Sequence, residues 1–464
     1  MSKADLIITN ARLVDHAGEQ HGAIAIKGGR IFAIGTADAM PETERTIDVG
    51  GNVVMPGVID PHCHLGVNYG YDEDMHTETA GAARGGVTTI MLFARSMDGP
   101  YVPYYFDRRA RGEAAAVIDF GFHFGIQRPE HVGEIAEIAE KTGVQCFKCH
   151  MGYEKGNSIG INSSTDGWVF GAMREAAKLP HGVVAVHCEN TELVELLKPE
   201  MMATGRDDLA AYTESRPVFV EEEAIERMIR WSSVTGCPLY VVHTTAKNGP
   251  KMAAEARTRG VDVTIETCPH YLTRTAYDED LGKTAKISPP LRDREQLEGL
   301  WEGIFNGTIG TLGTDHVPFK KNGGDIWHEK PGVVSFPWEL PLMLHFGVHE
   351  RGLSLSRLSE LNSYNPAKQF GLYPQKGALA VGSDADLVVV DLDEERIVEH
   401  DGKGTCLYEG WKLRGWPVLT VSRGDIVYDA ANPVEPEYGR GRCVTIPDSE
   451  RLGSGREGLA AASA

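Results

Sequence analysis

The chain has 464 residues, 42% of them hydrophobic, and a formal net charge of −20 at pH 7. This length exceeds one small domain and fits a large barrel of about 250 residues or more with an accessory domain. The negative charge argues against nucleic acid as a partner, because phosphate backbones select basic surfaces. No apolar run approaches the roughly 20 residues that cross a bilayer, so no membrane span is expected.

The two ends of the chain share a β-strand pattern. The early runs are DLIITNARLVD, GAIAIKGGRIFAIG and RTIDVGGNVVMPG, with Gly28-Gly29 and Gly50-Gly51 as turn glycines. The late runs are ALAVGSDADLVVVDLD and WPVLTVSRGDIVYDA. These runs predict a small β-sandwich domain formed from both chain ends, residues 1–55 and 376–448. Residues 449–464, rich in Gly, Ser and Ala, are expected to form a flexible tail.

The middle of the chain alternates short β-branched runs with amphipathic helical stretches, a pattern typical of repeated βα units. The strand runs are VVMPGVIDPHCH, GVTTIMLFAR, AVIDFGFHFGI, VQCFKCHM, GVVAVHCEN, PLYVVHTT, VDVTIETCPHY and IGTLGTDHV. Helical candidates include HVGEIAEIAEK, FVEEEAIERMIRWSS and REQLEGLWEGIF. Eight such units close naturally into a barrel, so residues 56–375 are predicted to form a (β/α)8 TIM-type barrel.

The cellular compartment is predicted from cysteine usage and the N-terminus. The eight cysteines are scattered and contain no CxxC pair, which favours free thiols in a reducing compartment. The N-terminal segment MSKADLIITNARLVDHAGEQ lacks the apolar core of a signal peptide. A cytoplasmic protein is therefore expected.

Residues able to serve a metal site stand at the ends of five of the eight strand runs. They are His62, His64, Lys148, His187, His243 and Asp315. Catalytic groups of this fold lie at the C-terminal ends of the strands, so all six should converge on one rim. His62 and His64 are two positions apart and therefore point to the same face. One HxH pair alone is more often structural, but the whole set predicts a site for zinc or a similar divalent ion.

These motifs resemble those of the cyclic amidohydrolases, specifically the hydantoinase and dihydropyrimidinase group of the amidohydrolase superfamily. Besides the first strand run, the matching stretches are GGVTTI, FKCHMGY, VHCEN, SRPVFVEEEAIERMI, LYVVHTT, ETCPHYL, ISPPLRD, LGTDHVPF and NPAKQFGLYPQKG. The resemblance covers nearly the whole chain. It implies metal-dependent hydrolysis of a C–N bond in a neutral cyclic amide, such as hydantoin or a dihydropyrimidine, by a homotetramer.

The resemblance also implies a role for each predicted ligand. Lys148 would carry CO₂ as a carbamate that bridges two divalent ions, expected to be zinc. His62 and His64 would bind one ion together with Asp315, and the remaining two histidines would bind the other. An anionic carbamate suits this position better than a cationic lysine beside two dications. The ions would lower the pKa of a bound water, and Asp315 would move its proton to the leaving ring nitrogen.

Two further residues receive roles through the resemblance. Tyr153, five positions after Lys148, matches a tyrosine that donates to the developing oxyanion, although strand-end tyrosines more often pack. Ser288, in ISPPLRD, matches a residue that contacts the cyclic amide, with a plain turn serine as the alternative. His150 is expected to point away from the face that Lys148 uses, and it is not counted as a ligand.

Departures from the group leave the substrate open. In KPGVVSFPWELPLM, Val333 stands near the position of an asparagine whose backbone holds substrate in the group. No arginine closely follows HxH, as one does in dihydroorotases, so a neutral ring is expected. Arg95 could overturn this expectation by entering the pocket, whereas pairing with a surface acid is the simpler interpretation. ETCPHYL and the YEG string at Tyr408 are shared with allantoinases, so allantoinase activity is an alternative.

Two other classes of protein fit this sequence less well. A non-catalytic scaffold of the same fold would have lost metal ligands, whereas this chain keeps all six. A binding module with a structural zinc would use four tight ligands, usually including cysteine, rather than residues spread over five strand ends. The sequence therefore favours the enzyme.

Overall fold

The structure is a computed structural model that describes residues 3–400 and 402–447. Within these residues the strands form two sheets of eight strands each. The first five strands are β1 (Leu6–Asp15), β2 (Gly18–Lys27), β3 (Arg30–Gly35), β4 (Thr46–Asp48) and β5 (Val53–Pro56). The next eight are β6 (Val58–Cys63), β7 (Val87–Ala94), β8 (Asp119–Gly125), β9 (Cys146–His150), β10 (Val183–His187), β11 (Leu239–Val241), β12 (Val263–Thr267) and β13 (Thr311–Leu312). The last three are β14 (Leu387–Ile397), β15 (Lys412–Ser422) and β16 (Asp425–Asp429).

Strands β6 to β13 form a parallel sheet in sequence order, as βα repeats require. The two ends of this sheet meet where Cys63 pairs with His316, just after β13. At the same place the N–H of His64 donates to the carbonyl of His316 over 2.8 Å. The sheet is therefore a nearly closed barrel, and its burial on both faces explains the continuous apolar runs of its strands.

Helices surround the barrel. They are α1 (Tyr71–Arg84), α2 (Tyr101–Ala115), α3 (Glu130–Thr142), α4 (Asp166–Ala176), α5 (Thr191–Met202), α6 (Leu209–Glu214), α7 (Val218–Thr235), α8 (Gly249–Thr258), α9 (Pro269–Thr273), α10 (Arg294–Asn306), α11 (Glu339–Leu342), α12 (Leu355–Ser359) and α13 (Asn365–Gln369). Shorter 3₁₀ segments span Ala37–Ala39 and Lys283–Ala285, and π-helical segments span Met343–His349 and Glu360–Tyr364. The three helical stretches predicted from sequence are α3, α7 and α10. None of the helices in the described ranges combines the length and apolar character that crossing a bilayer requires.

The interior of the barrel is packed with apolar side chains below the rim. They include Ile59, Met91, Phe93, Val183 and Tyr240, each at most 5% exposed. Because side chains alternate along a strand, residues two positions beyond this layer also face inward. The apolar layer therefore supports the polar residues at the C-terminal ends of the strands.

The first strand run predicted from sequence is two strands, β5 and β6, separated by Gly57. A side chain at Gly57 would place its Cβ 2.2 Å from Oγ1 of Thr88, so only glycine fits at this junction of β5 and β6. Strand β5 leaves the barrel and joins the second sheet. The VVMPG part of the run therefore belongs to the terminal sheet, and the VIDPHC part belongs to the barrel.

The second sheet is mixed and uses strands from both chain ends. Its order is β16-β15-β14-β5-β1-β2-β3, with β4 paired to β1. The two ends join where β14 runs antiparallel to β5, with Leu387 opposite Pro56. This arrangement confirms the predicted fold class, a TIM-type barrel with a smaller β domain formed from both ends. The residue boundaries of the domains stay a prediction, and the predicted tail at 449–464 lies outside the described residues.

Candidate metal centre and active site

The residues predicted for the site line one cavity at the C-terminal end of the barrel. They are His62, His64, Lys148, Tyr153, His187, His243, Ser288 and Asp315. The free space of the cavity, including its open mouth, is about 460 Å³. The barrel brings them together because each follows or ends a strand whose C-terminal end points to the same rim.

The first group of ligand candidates is centred on the Asp315 carboxylate. Its Oδ1 lies 3.0 Å from Nε2 of His64 and 3.3 Å from Nε2 of His62. One possible metal-ligand atom from each of His62, His243 and Asp315 lies within 4.8 Å of the corresponding atoms of the other two. A single divalent cation could contact all three.

The second group is a pair of buried imidazoles. Nδ1 of His187 lies 3.0 Å from Nε2 of His243. The other nitrogen of His187 lies 2.7 Å from Oε2 of Glu189, which in turn accepts from Arg216 at 2.8 Å. Because Nε2–H of His187 donates to this carboxylate, the lone pair of Nδ1 is free to face the cavity.

Lys148 is buried, with a relative exposure of 1%, and lines the same cavity as these two groups. Its Nζ makes no hydrogen bond in the described structure and lies 4.8 Å from the centre of the Phe93 ring. Burial lowers the pKa of this amine to about 8. A buried amine without a partner is unfavourable as it stands, so the site fits a modified or ion-linked form of this lysine.

Three imidazole nitrogens share this lack of partners and test whether a cation fits. Nε2 of His62, Nδ1 of His64 and Nδ1 of His243 are buried and make no hydrogen bond in the described structure. Burial lowers the pKa of His64 to about 4 and that of His243 well below its usual value. Neutral imidazole is the form that binds metal ions. The donor set therefore fits one or more divalent cations.

Two of the candidate ligands have a strained backbone. His243 and Asp315 have φ angles of 39° and 49°, in the left-handed region that side chains other than glycine rarely occupy. His243 lies two residues beyond β11, and Asp315 lies three residues beyond β13. Strain of this kind persists where surrounding contacts hold it, and it is concentrated at functional sites.

The protonation states suit acid–base chemistry. Burial would raise the pKa of Asp315, but electrostatic attraction to His62 and the hydrogen bond from His64 outweigh it and hold that pKa well below its ordinary value. Burial raises the pKa of Tyr153 well above that of free tyrosine, and the nearby Asp315 and Glu189 carboxylates add to this rise. At neutral pH the site therefore contains an ionised carboxylate and a phenol that keeps its proton.

Two substrate-contact candidates lie beside this centre. The hydroxyl of Tyr153 is 3.5 Å from Nδ1 of His187. Ser288 is buried and its Oγ donates to Oε2 of Glu189 at 3.4 Å. Val333 does not line the cavity, and its carbonyl accepts from the N–H of Val317 at 2.9 Å. Pro331, two positions earlier, forms that part of the cavity wall.

Two expectations about neighbouring residues are wrong. His150 lines the cavity instead of pointing away from it, because residues 148 and 150 are two positions apart on β9 and share a face. Its Nδ1 contacts the side-chain nitrogen of Gln127 at 3.2 Å. Arg95 also lines the cavity, and within the described ranges it forms no ion pair with a surface acid.

Buried acids that contact the imidazoles are part of the site and were not predicted from the sequence. Oε1 of Glu266 lies 2.7 Å from Nδ1 of His62 and accepts from the backbone N–H of His243 at 2.8 Å. Asp60 accepts from the backbone N–H of His62 at 3.0 Å. A glutamate within an apolar barrel strand, as in VTIET, is the pattern that could have pointed to Glu266, because a buried charge requires a partner.

A second group of carboxylates lies between the barrel and the terminal sheet. Asp119, Asp384 and Asp386 are buried and close together. Lys376 Nζ already occupies their centre, with Asp119 Oδ2 at 2.8 Å and Asp386 Oδ2 at 2.5 Å. This cluster is therefore a structural ion-pair network.

Comparison with known proteins gives consistent matches over the whole length. Residues 53–427 match the Amidohydrolase family, and residues 1–56 match the N-terminal domain of the urease alpha-subunit. The chain is 36% identical to the L-hydantoinase of Paenarthrobacter aurescens over 457 residues, which are 95% of this chain and 98% of that protein. It is 36% identical to the allantoinase of Deinococcus radiodurans over 436 residues, 91% of this chain and 95% of that protein.

Solved structures give the same result. The L-hydantoinase (dihydropyrimidinase) from Arthrobacter aurescens superposes with a TM-score of 0.87 at 34% identity, covering 95% of this chain and 100% of that one. The dihydropyrimidinase from Brevibacillus agri superposes with a TM-score of 0.88 at 29% identity, covering 95% and 98%.

Proposed function

Because the chain belongs to the amidohydrolase family, in its hydantoinase, dihydropyrimidinase and allantoinase group, and is a hydrolase of cyclic amides, we propose that it uses two divalent metal ions to open a neutral ring such as hydantoin or a dihydropyrimidine. One observation carries this proposal: His62, His64, His243 and Lys148, each with a buried nitrogen that makes no hydrogen bond, line a single cavity with Asp315. In the absence of a cation, so many buried polar atoms without partners would be strongly unfavourable.

The metal-holding residues divide into two groups around Lys148. His62, His64 and Asp315 would hold one ion. His187 and His243 would hold the other, and a carbamate on Lys148 would join the two. The lowered pKa of Lys148 supports this modification, because the neutral amine is the form that reacts with CO₂. Nitrogen and oxygen donors in this number suit zinc.

Asp315 is the proposed proton carrier. When bound, the ions would polarise the ring carbonyl and lower the pKa of a bound water. Water adds its oxygen to the carbonyl carbon, the C–N bond of the ring breaks, and the nitrogen gains a proton. The ionised Asp315 carboxylate can accept the proton that water loses and deliver it to that nitrogen. The product is an open chain with a new carboxylic acid, which releases the second proton of the water to solvent at neutral pH.

Tyr153 is proposed to stabilise charge that develops on the ring carbonyl oxygen. Its hydroxyl lies at the cavity wall beside His187 and keeps its proton at neutral pH. Donation of that proton in a hydrogen bond would strengthen as the carbonyl oxygen becomes negative. Ser288, buried next to Glu189, is proposed to contact the amide group of the ring.

The neutral-ring assignment rests on the segment that follows His64. Within the described structure, residues 65–70 contain no cationic side chain, and acidic Asp72, Glu73 and Asp74 begin helix α1. Asp74 accepts from the backbone N–H of Gly66 at 2.9 Å, so it stabilises this loop rather than the cavity. A carboxylate placed directly on the ring would find no arginine at this side of the site.

Allantoinase is the second candidate, favoured by the identity to the Deinococcus radiodurans protein. The shared YEG string does not strengthen it. Tyr408 is fully buried and packs against Trp338 and Trp411, outside the cavity lining. We also propose, from the resemblance alone, that the enzyme is a homotetramer.

A substrate panel tests the proposed function. Hydantoin, dihydrouracil, allantoin and dihydroorotate are supplied at equal concentration to zinc-loaded enzyme, with Asp315→Asn as the inactive control. We expect turnover of hydantoin or dihydrouracil to exceed that of dihydroorotate. Preferred opening of allantoin would favour the second candidate, and a clear preference for dihydroorotate would contradict the neutral-ring assignment.

A further inference from the structure

Arg95 is a charged residue of the cavity wall that the proposed mechanism does not use. It directly follows β7, whose residues Met91 and Phe93 face the barrel interior. Alternation along the strand puts Arg95 on the same inward face. The ring of Phe93 packs 4.5 Å from that of His62, so Arg95 stands one strand step above the candidate metal centre.

The guanidinium has no negative partner in the protein. Within residues 3–400 and 402–447, no aspartate or glutamate forms an ion pair with Arg95, and none of its nitrogens makes a hydrogen bond. Its stem rests on the backbone of Gly125, where an added Cβ would lie 3.4 Å from Cγ of Arg95. A charge facing a confined cavity without a counter-charge is unfavourable, so this position favours an anionic occupant.

The cavity that Arg95 lines has an apolar part as well as the polar centre. Ile159, Ile161, Val317 and Phe319 line the same cavity. In a pocket that combines apolar side chains with a charged group lacking a protein partner, that group selects a ligand by the position of its opposite charge. The planar guanidinium is suited to carboxylate, which it can bind through two parallel hydrogen bonds.

We propose that Arg95 binds a carboxylate on the ring substituent of the substrate, so that the preferred substrate is a cyclic amide with an acidic side group. This inference rests on the proposed function, because it assumes that a cyclic amide enters this cavity. The ring itself stays neutral. The apolar wall contacts the stem of the side group, and Arg95 receives its charged end.

Two substrates of equal size test the proposal: hydantoin-5-acetic acid and its neutral counterpart hydantoin-5-acetamide. For the native enzyme we expect kcat/KM for the acid to exceed that for the amide. In Arg95→Gln, kcat/KM for the acid should fall by about 10-fold to 100-fold, as expected for loss of a charge-assisted contact. In the same variant, kcat/KM for the amide should change by less than about 3-fold. Arg95→Lys should restore part of the preference.

A binding measurement separates this proposal from the proposed function. The dissociation constant of each hydantoin is measured by calorimetry in the Asp315→Asn background, with and without Arg95→Gln. Arg294→Gln, on an arginine whose side chain is 70% exposed, is the matched control. If Arg95→Gln weakens binding of the acid and leaves binding of the amide unchanged, the proposal is supported even where turnover is slow.

An equal fall in kcat/KM for the acid and the amide in Arg95→Gln would overturn the role of Arg95 and leave the cyclic-amide function standing. The absence of a preference for the acid over the amide in the native enzyme would do the same. Binding and turnover of dihydroorotate, lost in Arg95→Gln, would place the carboxylate on the ring itself and overturn the side-group assignment. Absence of binding and turnover for every cyclic amide would overturn both proposals.

Discussion

Nδ1 of His62 lies 2.7 Å from Oε1 of Glu266, although the two residues are 204 positions apart in the chain. Donation from Nδ1–H to this carboxylate leaves Nε2 of His62 unprotonated toward the cavity, which is the state that binds a cation. The same Glu266 oxygen accepts from the backbone N–H of His243. One carboxylate thus orients a ligand candidate of each proposed ion.

Glu266→Gln should therefore weaken metal binding while preserving the fold. An amide can accept one of these bonds but cannot supply the same negative charge, so we expect a loss of affinity of about 10-fold to 100-fold. The measurement is zinc affinity by competition with a chelator. The control is Glu302→Gln, on an exposed residue of α10. Unchanged affinity in Glu266→Gln would exclude an orienting role for Glu266.

Lys148→Ala should lose both metal and activity, because it removes the bridging group proposed between the ions. A short-chain carboxylic acid should restore part of the activity by occupying the vacated space. Lys141→Ala, on a lysine whose side chain is 51% exposed, provides the control. If the alanine variant is fully active without added acid, the carbamate role is excluded.

Asp315→Asn should lower kcat by about 100-fold to 10,000-fold, because an amide cannot accept and return a proton. The ionised carboxylate is the active form, so activity that depends on it falls as the pH drops through its pKa, which is held below the ordinary value of 3.8. The variant should accordingly lose the acidic limb of a bell-shaped pH profile. Asp393→Asn, on an aspartate with an 82% exposed side chain, is the control. An unchanged profile would exclude Asp315 as the proton carrier.

Tyr153→Phe should lower kcat by about 100-fold and change KM little, because its hydroxyl is proposed to act on the developing charge rather than on the bound ring. Tyr277→Phe, on a tyrosine that is 53% exposed, should have no effect. Steady-state kinetics on the best substrate of the panel decide between these outcomes. A change confined to KM would show that Tyr153 only binds substrate.

The strand-end residues of the site could be predicted because topology alone brings them together. His62, His64 and His187 end or follow strands that point to one rim, and any closed parallel barrel must gather them there. Asp315 was predicted by the same rule, although β13 is only the two residues Thr311–Leu312. The rule depends on direction and order of strands, which the alternating pattern of the sequence reveals.

Residues that depend on contacts across the barrel could not be predicted in the same way. Glu266 acts through its distance to His62, and no local pattern gives the register between β12 and β6. The cavity that Arg95 lines is completed by loop residues such as Ile159 and Phe319, whose backbone path is set by tertiary packing. The prediction for His150 was wrong because residues two positions apart on a strand share a face, which puts His150 on the face of Lys148.

Metal content measured together with turnover tests the central claim most directly. The native enzyme is purified without chelator, its divalent ions are counted by mass spectrometry, and hydrolysis of hydantoin and dihydrouracil is followed on the same sample. We expect about two divalent ions per chain, loss of activity when a chelator removes them, and recovery when zinc and bicarbonate are returned. An active preparation that carries no divalent metal ion would contradict the proposed centre.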